Sequence, residues 1–194
     1  IDGQVFSYRG ASYAIPLLGE HQLHNAATVL EAVSVLREQG WDIDDEAVES
    51  GLYSVAWPAR FEVLHTDDPW FVLDGGHNPQ CAAALRECLE HYFPDSKRVA
   101  LVGVLKDKDY KSIAATLAPL FDACVCVTPP SERALPAEEL AELFKDSCRE
   151  VCVADTVEDG VDLARDIAQE QDAMVCAFGS LYICGQIRSC FGLR

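Results

Sequence analysis

The sequence is short of positive charge. It contains 15 lysines and arginines against 32 aspartates and glutamates, which gives a net charge of −17. Nucleic-acid binding requires a surface of lysine and arginine that neutralises phosphates, so we expect no nucleic-acid partner. A single nucleotide needs only a few local cations, so the charge does not exclude nucleotide binding.

Long apolar runs and targeting signals are also missing. No apolar run approaches the roughly 20 residues of a membrane span, so we expect no membrane partner. The first residues, Ile1-Asp-Gly-Gln, have neither the basic end nor the apolar centre of a secretion signal. Because they also lack an initiator methionine, we expect a piece of a longer, cytoplasmic protein.

The cysteines lack the spacing of a disulfide or zinc framework. There are nine, an odd number, and no two form a Cys-x-x-Cys pair. Cys124 and Cys126 alternate along an expected strand, while Cys81 and Cys88 fall on one expected helix. We therefore expect small buried thiols in a reducing compartment and no metal site.

Two nucleotide-binding motifs and one catalytic motif are absent. No Gly-x-Gly-x-x-Gly follows a strand, so dinucleotide binding has no support. No Gly-x-x-x-x-Gly-Lys-[Ser/Thr] is present, so the chain has no phosphate-cradling P-loop of its own. The segment Phe178-Gly-Ser-Leu-Tyr182 lacks the second glycine of a hydrolase nucleophile elbow.

The stretch Trp70–Pro79 predicts a buried strand, a tight turn and the start of a helix. Asp74 ends the strand, two glycines allow the turn, and an Asn-Pro pair suits an N-cap and first helical residue. Ligands of open α/β sheets bind beyond the carboxyl ends of strands, so Asp74 and His77 are candidate site residues. An ordinary capped turn is the alternative. We expect both residues to lie on the turn, and to be replaceable without loss of the fold.

Strands and helices alternate after residue 60. The expected strands are Phe61–Leu64, Trp70–Leu73, Arg98–Val104, Ala123–Val127, Glu150–Val153 and Ala173–Phe178. The expected helices are His77–Tyr92, Lys108–Leu120, Pro136–Phe144, Thr156–Gln169 and Ser180–Cys190. This alternation predicts an α/β fold, with a mostly parallel sheet of about six strands and helices on both faces.

The preceding part predicts a smaller α+β unit. Two extended stretches in residues 1–18 precede a helix that runs to a C-cap at Gly40, and a short helix follows at Asp44–Leu52. The expected apolar face of the first helix is Leu23, Ala26, Ala27, Leu30 and Val33. Asn25 lies on a separate polar line, where it is either solvated or able to bind an adenine edge. Pro58 marks an expected hinge at Trp57–Arg60.

Two further strand ends carry polar residues, Lys106 after the strand ending at Val104 and Ser180 after Phe178. The carboxyl ends of parallel strands share one edge, so both should lie near Asp74. A solvated turn is the alternative for Lys106. Ser180 is expected to cap a helix, which leaves it able to contact an anion.

Five motifs in this order resemble the folylpolyglutamate synthase/dihydrofolate synthase family of ATP-dependent Mur-type ligases. They are Gly19-Glu-His-Gln…Asn25-Ala, Trp57-Pro-Ala-Arg60-Phe-Glu, Leu73-Asp74-Gly-Gly-His77-Asn-Pro, Gly103-Val-Leu-Lys106-Asp-Lys-Asp109 and Gly179-Ser180-Leu-Tyr182. The resemblance implies that residues 1–59 end the central ATP-binding domain and that residues 60–194 form the Rossmann-like, C-terminal glutamate-ligase domain. It also implies that the P-loop and the magnesium ligands lie in a part not included here.

The resemblance assigns roles to six residues. Asn25 would hold the adenine, Arg60 would reach ATP from the hinge, and Asp74 would bind the ribose or position the nucleotide. His77 would lie near the phosphates or the reacting centre. Lys106 and Ser180 would hold the incoming glutamate, with Tyr182 beside them. Small residues differ from the family pattern, since Ala59 replaces a glycine and Gly76 an alanine.

The resemblance implies an enzyme that adds glutamate to folate or dihydropteroate through an acyl phosphate, with ATP and Mg²⁺. We expect a monomer, and we expect these 194 residues alone to be inactive. The alternatives are a Mur-type amino-acid ligase of peptidoglycan synthesis, a response-regulator-like binding module and a structural interaction domain. A response regulator would need a lysine after its last strand, where this sequence has Phe178-Gly-Ser.

Overall fold

The computed structural model describes residues 1–193, which form two compact units. The first is Ile1–Pro58 and the second begins at Ala59. No helix among the described residues is long and apolar enough to cross a bilayer. The assignment of the first unit to the end of a central domain, and of the second to a ligase domain, stays a prediction.

The first unit combines a β-hairpin with two helices: β1 Gln4–Tyr8, β2 Ala11–Ile15, α1 Glu20–Glu38 and α2 Asp45–Tyr53. Arg9 and Gly10 connect the antiparallel strands, and both have positive φ, as a two-residue hairpin turn requires. The expected apolar face of α1 is largely confirmed, because Leu23, Ala26, Leu30 and Val33 all belong to the hydrophobic cluster of this unit. Gln22 is buried on it alongside Ala26 and Leu30, while Leu23 is only half-buried.

The second unit is a six-stranded sheet with five α-helices. The strands are β3 Glu62–His65, β4 Phe71–Asp74, β5 Lys97–Val102, β6 Ala123–Val127, β7 Glu150–Ala154 and β8 Ala173–Phe178. The helices are α3 Pro79–Tyr92, α4 Tyr110–Leu117, α5 Ala137–Glu142, α6 Val157–Gln171 and α7 Leu181–Cys190. The strand order is β3-β4-β8-β5-β6-β7, with only β3 antiparallel to its neighbour.

Alternate side chains of the buried strands point to opposite faces of the sheet. One set, which includes Leu73, Leu101 and Val125, packs against α6 and α7. On the other face, Cys88 of α3 approaches Cys176 of β8. The predicted α/β class, with a mostly parallel sheet covered on both faces, is confirmed.

Three of the expected boundaries that differ belong to β5 and α4. Strand β5 ends at Val102 rather than Val104, since the Val104 carbonyl accepts a hydrogen bond from the Leu135 N–H, 3.0 Å away, in the loop after β6. Helix α4 begins only after Asp109, whose carboxylate accepts the Ser112 N–H at 3.2 Å. Its expected last turn is a separate 3₁₀ turn, Ala118–Leu120.

The strand order brings the candidate residues to one edge. Strands β4, β8, β5 and β6 are consecutive neighbours and parallel, so their carboxyl ends emerge side by side. Neighbouring strands lie about 4.8 Å apart, which puts the ends of β4 and β5 roughly 10 Å from one another.

Candidate active site

The turn that carries Arg60 is strained and held from both sides. Ala59 and Phe61 have φ values of 57° and 44°, in the left-handed region that non-glycine residues avoid. The Ala59 carbonyl accepts the Gly75 N–H at 2.8 Å, and the Phe61 N–H donates to Asp74 Oδ2 at 3.0 Å. Both bonds tie the turn to the end of β4 and fix the backbone of Arg60.

A partly buried ion pair anchors the same turn to α7. Glu62 accepts the Ala59 N–H through Oε2 at 2.8 Å, and its other oxygen pairs with Arg188. The side chains of this pair are only 23% and 14% exposed, respectively, so water screens the attraction less than at the surface. The division between the two units, after Pro58, falls inside the expected hinge Trp57–Arg60, and Ala59 and Arg60 belong to the second unit. The hinge itself stays a prediction.

The Arg60 guanidinium itself is available. It is half-buried, and the described residues provide it with no hydrogen bond or ion pair. A cation held by a rigid backbone but lacking a carboxylate partner suits an anionic ligand such as a phosphate.

Asp74 is more than a surface group on the turn. The expectation that it stands beyond the strand is wrong, because it is the last residue of β4 and is half-buried. Its Oδ1 accepts the Gly76 N–H at 2.7 Å while Oδ2 holds Phe61. The carboxylate therefore joins the Arg60 turn to the glycine turn, which makes it a positioning group for both.

His77 follows the glycine turn and precedes the Asn78 cap of α3. The Asn78 side chain accepts the Cys81 N–H at 2.9 Å, so the predicted N-cap is confirmed. His77 Nδ1 lies 3.2 Å from the Gly75 carbonyl oxygen, which can only accept, so Nδ1 carries a proton. In the neutral ring, Nε2 is then the acceptor nitrogen.

Ser180 lies at the end of β8, between the ends of β4 and β5. Gly179 has φ 112°, and a Cβ there would be 2.7 Å from the Gly103 carbonyl oxygen, so only glycine allows this approach. The Ser180 hydroxyl accepts the Tyr182 N–H at 3.2 Å and caps α7, as expected. The side chain is buried, and its oxygen already accepts the Tyr182 N–H, which leaves the hydroxyl hydrogen to donate.

Lys106 is exposed beyond the end of β5, and no partner for its ammonium group is found within residues 1–193. Its backbone is fixed by the next loop, because its N–H donates to the Arg133 carbonyl at 2.9 Å. The side chain is therefore a second available cation at this edge.

Sequence reasoning did not single out Arg133, which lies in the loop between β6 and α5. Its guanidinium contacts Asp107 at 2.9 Å and the Tyr182 hydroxyl at 3.3 Å. The hydrogen bond to Tyr182, reinforced by the Asp107 carboxylate, raises the pKa of Arg133 above its usual value. No local signal marks it, because Arg133 lies well beyond the end of β6 at Val127 and its position depends on pairing with the loop after β5.

The edge thus has two ends. The β4 end contains Arg60, Asp74 and His77, and the β5–β6 end contains Lys106 and Arg133. Ser180 lies between them. Asn25 belongs to the first unit, where it is exposed on α1 and donates to Gln22 Oε1 at 3.0 Å. Its adenine-binding role stays a prediction, as do the roles expected for the other residues.

The thiols do not form a reactive or metal-binding set. Burial is the main cause that raises the pKa of Cys88 and of Cys184 to about 12, so both stay protonated near neutral pH. Across residues 1–193, no three His, Cys, Asp or Glu side chains are grouped so that they could hold a metal ion. What the described residues do offer at this edge is the two available cations Arg60 and Lys106, together with the His77 acceptor nitrogen.

Comparisons with known proteins agree on one family. A family model for the Mur ligase glutamate ligase domain matches residues 59–181. A probable bifunctional folylpolyglutamate synthase/dihydropteroate synthase of Halobacterium salinarum is 37% identical over 177 residues, covering 90% of this chain and 21% of that protein. The chain spans less than half the length of the curated relatives it matches.

Solved structures show the same similarity. Mycobacterium tuberculosis folylpolyglutamate synthase, complexed with ADP and AMPPCP, superimposes with a TM-score of 0.90 at 32% identity, over 100% of this chain and 46% of that one. A bifunctional folylpolyglutamate synthase/dihydrofolate synthase with Mn, AMPPNP and L-glutamate bound has a TM-score of 0.72 at 29% identity, covering 100% of this chain and 45% of that one. Because the family model matches residues 59–181, more than half of the chain, and the fold agrees with that of these relatives, the chain belongs to the Mur ligase family and contains that family's glutamate ligase domain.

Proposed function

We propose that this chain is the C-terminal part of an ATP-dependent ligase that adds L-glutamate to folate or dihydropteroate. The observation that carries the proposal is the pair of available cations, Arg60 and Lys106, at opposite ends of one sheet edge. ATP, glutamate and the pterin substrates are all anions, whereas the chain has a net charge of −17. Local cations must therefore provide the attraction. The substrate class, folates and glutamate, is inferred from the relatives, which are folylpolyglutamate synthases.

In this proposal, the first unit, Ile1–Pro58, ends the central ATP-binding domain, and the unit that begins at Ala59 forms the ligase domain, one residue earlier than the resemblance implies. The roles toward ATP are assigned within each unit separately: in the first, Asn25 holds the adenine, and in the second, Arg60 contacts the phosphates and Asp74 positions the nucleotide. The P-loop and the ligands of Mg²⁺ belong to the amino-terminal part of the complete ligase. The residues that the structure describes offer no cluster suited to a metal ion.

At the β4 end, Arg60 binds a phosphate of the nucleotide. A substrate carboxylate oxygen attacks the terminal phosphorus, the bond to the bridging oxygen breaks, and ADP leaves. Negative charge spreads over the transferred group during this step, and a fixed guanidinium stabilises it. Asp74 acts indirectly, by holding the turn on which Arg60 lies.

At the other end, Lys106 and the Ser180 hydroxyl orient glutamate. Its amine nitrogen attacks the carbonyl carbon of the acyl phosphate, an amide bond forms, and inorganic phosphate leaves. His77 Nε2 accepts the proton that the attacking amine loses. The roughly 10 Å between the ends of β4 and β5 leaves room for both reactants along the edge.

The test uses the complete ligase that contains these 194 residues. We expect ADP release that requires both L-glutamate and folate or dihydropteroate, and a product one glutamyl residue heavier by mass spectrometry. The isolated 194 residues should show no such activity, because they contain no P-loop. ADP release with an amino acid and a peptidoglycan precursor instead would assign the alternative Mur-type function. Folate-dependent turnover by the isolated chain would contradict the division proposed here.

Three further expectations accompany this function. The protein should be cytoplasmic. It should also be a monomer, which light scattering on a sizing column would test. Nucleic acid should not bind, since the strong negative charge repels phosphates. A response-regulator-like module is not retained, because the family match accounts for the strand-end aspartate.

A further inference from the structure

The Arg60 turn needs support from outside, because its own backbone is unfavourable. Ala59 and Phe61, on either side of Arg60, have left-handed φ values, which sterics disfavour by about five- to thirtyfold for a residue with a side chain. The Phe61 ring gives part of the support, since it is buried and its centre lies 5.6 Å from that of Tyr92 and 6.4 Å from that of Phe93, at the end of α3. Ala59 has only a methyl group, so its conformation depends on its backbone hydrogen bonds.

Glu62 holds the Ala59 end of the turn. Its Oε2 accepts the Ala59 N–H at 2.8 Å, and its other oxygen pairs with the guanidinium of Arg188. The Glu62 side chain is only 23% exposed, and a carboxylate withdrawn from water needs a charged partner. Without Arg188, we expect the carboxylate to turn towards water and to release the Ala59 N–H.

Helix α7 contacts the supports of the turn near both of its ends. Near its start, Leu181 packs so closely on Gly75 that a Cβ there would be 2.4 Å from Leu181 Cδ2, and the Gly75 N–H binds the Ala59 carbonyl. Near its end, Arg188 pairs with Glu62, which binds the Ala59 N–H. Both hydrogen-bonding groups of the Ala59 backbone therefore depend on residues that α7 contacts.

We infer that Arg188 is a positioning residue for the phosphoryl transfer, and that it acts through Glu62 on the Arg60 guanidinium. In this role it touches neither nucleotide nor substrate. It keeps the turn in its left-handed form, so that the guanidinium is oriented before the nucleotide binds. The inference rests on the proposed function and extends it to a residue on α7. Loss of a hydrogen bond to a charged group shifts an equilibrium by about tenfold to a hundredfold, which is comparable with the backbone penalty of the turn.

A purely structural role is the alternative for Arg188. The residue lies in the last turn of α7, where a positive charge also stabilises a helix through its dipole. Such a role would change stability, and its effect on turnover would not depend on whether Arg60 is present.

The first test is steady-state kinetics of the complete ligase. Arg188→Met should lower kcat by about tenfold, while KM for glutamate changes by less than about threefold, and Arg188→Lys should recover most of the loss. The deciding variant combines Arg188→Met with Arg60→Gln. Its kcat should match that of Arg60→Gln alone within about twofold, because the group that Arg188 positions is already gone. Arg86→Met is the matched control, since Arg86 forms an exposed ion pair with Glu90 within α3.

The second test does not depend on activity. Amide hydrogen exchange of the 194-residue chain, measured for each residue by NMR, should be about tenfold or more faster at Ala59 in Arg188→Met than in the wild type. Exchange at Val99, which is fully buried in β5, should not change. Arg86→Met should leave both rates unchanged. Glu62→Gln keeps an oxygen that can accept the Ala59 N–H, so it is the milder variant with the same expected direction if Arg188→Met does not fold.

Three results would overturn the inference: an unchanged exchange rate at Ala59, an equal rise at Ala59 and Val99, or losses of kcat that multiply when Arg188→Met and Arg60→Gln are combined. The equal rise would indicate a general loss of stability, and the multiplied losses would show that Arg188 acts independently of Arg60. If the complete wild-type ligase releases no ADP with folate and glutamate, the proposed function fails instead. The exchange rate at Ala59 then decides alone whether Arg188 supports the turn.

Discussion

The two ends of the sheet edge are built differently. At the β4 end, the backbone around Arg60 is strained, and the carboxylates of Asp74 and Glu62 accept backbone N–H groups of that turn. At the β5–β6 end, Lys106 and Arg133 are exposed side chains on loops held by backbone hydrogen bonds. The first end is preorganised by its side chains, whereas the second is preorganised by its backbone.

This difference predicts how substitutions will act. Changes at the β4 end should alter the turnover number, and some should also reduce stability, because the same groups support the fold and face the reaction. Changes at the β5–β6 end should alter substrate binding and leave stability unchanged. Four predictions follow that comparison, from the largest expected effect to the smallest.

Arg60→Gln should lower kcat of the complete ligase by about a hundredfold to a thousandfold, the usual cost of ~2.7–4 kcal/mol for a group that stabilises transition-state charge. Stability should not fall, since the described residues give its guanidinium no partner to lose. Turnover numbers of the complete ligase check the expected loss of activity, and the melting temperature of the 194-residue chain checks the expected stability. Near-wild-type turnover would remove Arg60 from the site.

Asp74→Ala should reduce the free energy of unfolding of the second unit by about 2–4 kcal/mol, because two backbone N–H groups lose a charged acceptor. Asp74→Asn should cost less, since its amide oxygen can still accept from one of them. Trp70 fluorescence follows urea unfolding, in a background where the two tryptophans of the first unit are phenylalanine. An unchanged unfolding midpoint for Asp74→Ala would show that the carboxylate does not hold the Arg60 turn.

Lys106→Gln should raise KM for glutamate about tenfold, since a solvent-accessible ammonium pairs less strongly than a buried one, and should leave kcat near the wild-type value. Lys97→Gln is the control, because Lys97 is exposed at the opposite end of the same strand. A fall in kcat without a change in KM would move Lys106 from the binding group to the reacting centre.

The sequence was most informative where burial alone decides structure. Both β6 and β8 were predicted to the residue, because each is an unbroken buried run bounded by polar residues. The end of β5 was missed, since Val104 is bonded to a residue of the loop after β6, a contact that no local pattern records.

Site residues within recognisable motifs could be predicted, but their interactions could not. The bond between Asp74 and Phe61 depends on a left-handed backbone at Ala59 and Phe61, which neither side chain favours. The glycine usual at the Ala59 position was the available signal for that conformation. Arg133 was missed because its pairing with Lys106 spans two loops and appears only once the strands are placed in order.

Ser180 lies between the two ends and gives the smallest expected effect. Ser180→Ala removes the N-cap of α7 and should cost about 1 kcal/mol of stability, whereas Ser180→Gly should cost only a few tenths because glycine is tolerated at an N-cap. Both variants lose the hydroxyl. If that hydroxyl also orients glutamate, KM for glutamate should rise by about the same few-fold factor in both, despite their unequal stability. Unfolding by urea and glutamate titration of the two variants separate the roles. The contrary outcome is a KM that rises in Ser180→Ala but not in Ser180→Gly, in parallel with the loss of stability. Ser180 would then act only as the N-cap of α7, and glutamate binding would depend on the cations of the β5–β6 end.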